Sequence, residues 1–322
     1  MRICSLLPSA TEMVYALGLG DQLVGVSHTC DYPEAARTKP VVGRSLRDVS
    51  HLSSAEIDAH IQQARANNNP LYWLNGDLLR ELRPDLILTQ EICQVCAVGS
   101  GSVFETAARV LDYQPTILTM RPAGLADIFQ NILSIGAAAR VPERGEALVQ
   151  GLRQRVERVK GGLADVAYRP KVFCIDWLDP LRNTGQWVPE LVELAGGREG
   201  LAVKWGKSRE IGWSEVVAYQ PEYLMAMPCA FDMARAAAEF GEWLPRQTGW
   251  DVLPAVRRDQ VYLFDGKIPS RHGPRVVDVV EALAEAMYPE RFSGLAAPGI
   301  FQRAELGNRP LSPSRGVNGQ VG

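Results

Sequence analysis

"PERGEALVQGLRQRVERVKGGLAD", residues 142–165, decides how this chain is organised. Leu148, Leu152, Val156 and Val159 recur at spacings of three and four, with charges between them. That is the pattern of one amphipathic helix. Pro142 falls in the first turn, where proline is tolerated, and Gly161–Gly162 mark the end. Gly145 and Gly151 are its weak points. On either side the pattern changes. Before the helix, short apolar runs alternate with helical ones: "RICSLL", "EMVYALGLG", "QLVGVS", "AEIDAHIQQARA", "DLILTQ", "VFETAARVL", "PTILTM". After it, the alternation resumes with "KVFCIDW". Strands alternating with helices imply a mostly parallel sheet covered on both faces. The expected fold is therefore α/β, with two Rossmann-like lobes of mostly parallel sheet joined by one long helix. The bounds are 1–141 for the first lobe, 142–165 for the linking helix and 166–295 for the second lobe. Residues 296–322, rich in Gly, Pro, Ser and Asn towards the end, have little to bury and are expected to be disordered.

The two halves echo each other. "DLLRELRPDLIL" (77–88) and "SEVVAYQPEYLM" (214–225) both read as helix, proline, acidic residue, strand, with Pro84 and Pro221 equally placed. Ser9 with Glu12, Ser53 with Glu56 and Ser102 with Glu105 each have the spacing of a capping box at a helix start. The chain has 322 residues, 46% of them hydrophobic, enough for two cores of ordinary size. Lys+Arg number 34 and Asp+Glu 37, a net charge of -3 with no polybasic run, which argues against nucleic acid as a partner. No stretch approaches the roughly 18–20 apolar residues of a membrane span. "MRICSLLPSATE" offers too short an apolar run for a secretory signal, so the expected location is cytoplasmic. Its six cysteines would then stay as thiols.

The order of these pieces resembles a known family. "RICSLLPSATEMVYALGLGDQLVGVSHTCDYP", "LLRELRPDLILTQ", the long helix, "WVPELVELAGG", "WSEVVAYQPEYL" and "RHGPRVVDVVEALAEAMYPE" together are similar to the cobalamin- and iron-siderophore-binding proteins of ABC importers, and most of all to the cobalamin-binding branch. The resemblance spans residues 2 to about 290. It implies a monomeric, two-lobed, non-catalytic protein that holds a small-molecule ligand, cobalamin or a related metal chelate, between its lobes. It also implies an ABC permease as partner, docked through one carboxylate per lobe, seven residues before the proline of the helix–proline–strand unit. Counting back from Pro84 gives Asp77. Counting back from Pro221 gives Ser214, with Glu215 beside it. The shortened and shifted acids, and the absence of a signal, depart from the family pattern and weigh against docking.

In doubly wound sheets, ligands sit at the carboxyl ends of strands. After "LVGVS" come His28, Thr29, Cys30, Asp31 and Tyr32; after "DLILTQ" come Glu91, Cys93 and Cys96. H-x-C and C-x-x-C are four soft or borderline ligands, so one reading is a site for Zn or an iron–sulfur centre at His28, Cys30, Cys93 and Cys96. A redox pair and inert packing stay open beside it. Cys4, Cys174 and Cys229 read as core. The second lobe brings Trp177, Trp187, Trp205 and Trp213, whose rings suit the broad face of a corrin, and His272 in "SRHGPR" over the cleft. The ligand is thus expected between Tyr32 and Glu91 on one side and these residues on the other. Asp127 and Glu193 read as solvated helix faces, and His51 and His60 as surface. There is no G-x-S-x-G, G-x-x-x-x-G-K or H-E-x-x-H, so no catalytic role is expected. The alternative function on the same fold is a cytosolic metalloprotein or metalloenzyme built on the Cys/His cluster.

Overall fold

The computed structural model describes residues 1–91 and 100–306. The first lobe contains β1 (Ile3–Ser5), α1 (Pro8–Ala16), β2 (Leu23–Ser27), β3 (Val41–Ser45), α2 (Ser54–Ala66), β4 (Tyr72–Leu74), α3 (Gly76–Leu82), β5 (Leu86–Gln90), α4 (Ser100–Val110), β6 (Thr116–Met120) and α5 (Leu125–Ala138). The linking helix is α6 (Pro142–Gly162). The second lobe contains β7 (Lys171–Trp177), β8 (Arg182–Asn183), α7 (Val188–Leu194), β9 (Arg198–Glu199), α8 (Trp213–Tyr219), β10 (Tyr223–Ala226), α9 (Met233–Trp243), α10 (Pro254–Arg257), β11 (Val261–Phe264), α11 (Val276–Met287), α12 (Pro289–Phe292) and β12 (Phe301–Arg303).

The first sheet has strand order β4-β3-β2-β1-β5-β6 and is parallel except for the β3–β4 pair. The second has order β12-β11-β10-β7-β8, with β9 also on β7; its β7–β10–β11 centre is parallel. The interior strand β5, "LILTQ", is buried along its whole length, as a strand covered on both faces must be. Residues 301–303 pair antiparallel with β11, so the second lobe extends beyond residue 295 and the expected disorder does not begin at 296.

The echo between the halves is structural. Helices α3 and α8 each span seven residues and each ends on a left-handed residue, Arg83 (φ 39°) or Gln220 (φ 53°). Pro84 and Pro221 then stop the helix and start the extended run. The Ser53–Glu56 capping box forms in both directions. The expected Ser9–Glu12 box does not. Pro8 takes the first helical position with Leu7 as the cap, so Ser9 and Glu12 lie inside α1 and their side chains are free for other partners. Helix α4 is described from Ser100, ahead of the expected start at Ser102.

Helix α6 is continuous and belongs to both lobes. Its Val149, Leu152, Val156 and Val159 join one apolar core that also contains Ile3, Leu7 and Ile132 of the first lobe and Val172, Leu191 and Leu283 of the second. Gly145 is a contact rather than a weakness: a Cβ on Gly136 of α5 would lie 3.3 Å from the Gly145 Cα, so these glycines let the two helices cross closely. On the other face, Arg155 donates to Glu281 (2.9 Å) and Asp278 (2.5 Å) of α11. A continuous helix packed into both cores resists a hinge. Small-angle scattering is expected to show a radius of gyration that changes by less than about 1 Å on adding ligand, as in other pre-organised binders. A contraction of several ångströms would contradict a rigid link.

Candidate functional site at the seam between the lobes

In each sheet the chain leaves its first strand in one direction and later returns to build in the other. The reversal falls between β1 and β5 in the first lobe and between β7 and β10 in the second. The crevice at such a reversal is where this architecture places ligands. Both crevices face the seam, and the opposite lobe reaches into each.

At the first, the loop before α11 enters from the second lobe. Arg271 and Arg275 both bind Glu12, which is 4% exposed. Arg271 Nη1 lies 3.2 Å from Glu12 Oε1 and 2.6 Å from Asp31 Oδ1, and Nη2 donates to the Thr29 carbonyl at 3.2 Å. Arg275 makes a two-pronged contact with Glu12 at 2.9 and 2.5 Å. Lys267 adds an ion pair to Asp31 at 3.3 Å. Burial pushes the Asp31 carboxyl up, but Arg271 and Lys267 outweigh it and hold it below the usual range. Beside this network His272 is buried, with Nε2 3.2 Å from both Ser9 Oγ and Gln90 Oε1 and its ring edge-on to Trp187.

Burial drives the His272 pKa down to about 4. The folded state therefore holds it neutral, while an unfolded chain takes up its proton near pH 6.5. Between those values the unfolded state binds more protons, so stability is retained above pH 6.5 and lost as the pH falls toward 4, by roughly 3 kcal/mol from this group alone. Urea unfolding of His272→Asn is expected to show a shallower loss of stability over that window than the parent. Identical pH profiles would contradict this assignment.

Two further bridges cross the seam. Glu190 of α7 accepts from the Leu125 backbone N–H at 2.9 Å, capping α5 of the other lobe. It also accepts from Trp205 Nε1 at 3.1 Å, which holds that indole over Gly124. Trp205 has φ +64° and is 59% exposed, with the Lys204 ammonium 5.1 Å from its ring centroid. Tyr32, 48% exposed, lies under Arg275 at 4.0 Å. Two open aromatic faces, each beside a cation, thus flank the joined lobes. At the second crevice Trp177 packs edge-on against Phe231 and donates Nε1 to the Ser54 carbonyl of the first lobe at 3.2 Å.

The remaining expected residues fall elsewhere. Trp187 is 3% exposed and donates to the Pro269 carbonyl at 2.8 Å; it is a core residue, not an open cleft wall. Trp213 starts α8, donates to the Thr248 carbonyl and packs edge-on against Trp243 within the second lobe. His272 is enclosed rather than set over an open cleft. Glu91, directly after β5, is ion-paired with Arg121, directly after β6. Cys30 is 3% exposed in the apolar core, where its Sγ accepts from Thr11 at 3.0 Å. Burial pushes its thiol up to about 11, which keeps it protonated. His28 is exposed and leans on the Tyr72 ring. The two therefore do not face one another, and among the described residues no group of three or more His, Cys, Asp or Glu gathers as a metal site. Cys93 and Cys96 lie outside the described residues. Asp127 caps α5 through the Ala123 and Gly124 backbone N–H groups, and Glu193 pairs with Lys204. Asp77 and Glu215 occupy the first turns of the matching helices α3 and α8, paired with Arg80 and Arg209 at 3.0 Å each.

Residues 3–268 match the family described as periplasmic binding protein. The chain belongs to the periplasmic binding protein family. Its members are non-catalytic substrate-binding components of ABC importers, which take small-molecule ligands to a permease. An uncharacterized ABC transporter substrate-binding lipoprotein of Bacillus subtilis is 26% identical over 303 residues, covering 90% of this chain and 81% of the relative. A vitamin B12-binding protein of Vibrio cholerae is 26% identical over 284 residues, covering 87% and 86%. The crystal structure of a periplasmic heme binding protein from Pseudomonas aeruginosa shares the fold, with a TM-score of 0.67, 22% identity and coverage of 90% and 93%.

Within this family, the residues that join the lobes here were not singled out by sequence. Glu12 reads as a helix cap, and in "SRHGPR" only His272 is picked out. No local pattern pairs a carboxylate in the first helix with arginines some 260 positions later.

Proposed function

We propose that the protein is a binding protein for cobalamin or a related planar metal chelate such as heme, carried on the seam between its lobes. The observation that carries the reading is the pair of exposed aromatic rings, Trp205 and Tyr32, each held against the opposite lobe at the seam. A broad macrocycle gains most from flat apolar surface, with charged and amide groups at its rim. Trp205 with Lys204, and Tyr32 with Arg275, supply that combination. The names of the relatives support the same ligand class: vitamin B12 for one, heme for a structural neighbour. Asp77 and Glu215, at matching helix starts in the two lobes, are the proposed contacts to an ABC permease.

Visible-absorbance titrations with cyanocobalamin and with hemin test the reading. One of the two is expected to give a saturable spectral change at one ligand per chain. Absence of saturable binding for both overturns it.

A further inference from the structure

The segment between β3 and β4 belongs to the first lobe by sequence and to the second by packing. Its ends are tied together: Ser45 pairs with Tyr72 in the antiparallel ladder, and the Leu46 N–H donates to the Leu71 carbonyl at 3.0 Å. Everything from 47 to 70 is an excursion from that clasp, with α2 at its centre. Val49, Leu52, Ile57 and Ile61 of the excursion share one apolar cluster with Trp177, Phe231 and Ala236. Among the described residues, that cluster has no member from the rest of the first lobe. The polar fringe also crosses the seam. The Ser54 N–H donates to Glu239 Oε1 at 2.8 Å, Arg182 reaches Asp58 at 3.4 Å, and Arg235 donates to the Leu52 carbonyl while lying over the Phe231 ring. The reciprocal Ser53–Glu56 cap lets α2 keep its form away from the surface beneath it. The ground that α2 covers is the carboxyl end of β7 next to β10, the crevice where this architecture receives ligands.

We infer that residues 47–70 are a lid, and that Trp177 beneath it is a second aromatic platform for the planar ligand. The inference rests on the binding function proposed above. Because α6 holds the lobes rigidly, access comes from lifting the lid about the Leu46–Leu71 clasp and not from parting the lobes. A closed lid lowers apparent affinity by the fraction of molecules that are open, so loosening it strengthens binding.

The test uses the full-length protein and two variants. Glu239→Ala removes the acceptor for the Ser54 N–H and a carboxylate near Arg235, both on the seam beneath the lid. Ile57→Ala removes the buried side chain on the lid, with Glu239→Ala standing in should it fail to fold. Hydrogen exchange is expected to show amides 54–66 opening at least about tenfold faster than those of β7, in a local event that leaves β7 protected. Titration with cyanocobalamin and hemin is expected to show binding several-fold tighter in the loosened variants than in the parent, about tenfold for Ile57→Ala. Exchange of α2 only together with β7 overturns the lid. Equal affinity in parent and variants overturns the lid while leaving the binding function standing. No binding by any of the three proteins overturns the binding function and the platform with it.

Discussion

Glu12→Ala is expected to lower the free energy of unfolding by about 3–5 kcal/mol, the range for removing one partner of a buried ion pair. The carboxylate is enclosed and holds two guanidinium groups from the other lobe. Without it Arg275 loses both of its prongs, and Arg271 keeps only Asp31 and the Thr29 carbonyl. Two guanidinium groups would then lose the carboxylate that joins them at a largely buried seam. The loss arises mainly from stranding those charges rather than from any large net gain of the intact pair. Urea denaturation followed by far-ultraviolet circular dichroism measures it. Glu34→Ala, which removes an exposed carboxylate paired with Arg37 one helical turn on, provides the comparison and should fall within about 0.5 kcal/mol of the parent. A Glu12→Ala protein as stable as Glu34→Ala would show that the lobes are not fastened there.

Trp187→Ala is expected to cost about 3–5 kcal/mol of stability, as for other buried large-to-small changes at aromatic positions. The indole is enclosed beside Val188, Leu191 and the second-lobe core, its N–H is committed to Pro269, and its edge supports the His272 ring. Folded molecules of this variant should bind ligand within a few-fold of the parent, because the ring has no open face. Thermal unfolding beside titration separates the two effects. A stable variant that binds far more weakly would make Trp187 a ligand wall and contradict its core assignment.

Much of the fold was legible because it is written locally. The spacing of Leu152, Val156 and Val159 gave α6 its length and its buried stripe. The paired helix–proline–strand units gave the two lobes, since proline and a left-handed cap leave the same mark in each. What was illegible depends on distance along the chain. Strands β3 and β4 are five and three residues long and carry no clear alternation, so the excursion between them could not be recognised as a lid. Four tryptophans looked alike in sequence. Whether each is core or surface is decided by partners such as Pro269, Thr248, Ser54 and Glu190, which lie outside any local window. Cys30 looked like a ligand because of its neighbour His28. The turn closed by the Cys30 N–H on the Ser27 carbonyl breaks the alternation that would put both on one face, so Cys30 lies in the core with Thr11 and His28 lies out against Tyr72.

The account stands most directly on Trp205. Its ring is open, and its N–H is held by the same carboxylate that caps the opposite lobe, so its loss should disturb binding and little else. Equilibrium titration of the parent and Trp205→Ala, with the chelate that the parent binds, is the deciding measurement. The account predicts one site per chain in the parent, affinity weaker by about tenfold in the variant, and unfolding midpoints that agree closely. Equal affinity in the two proteins would place the ligand away from Trp205 and contradict it.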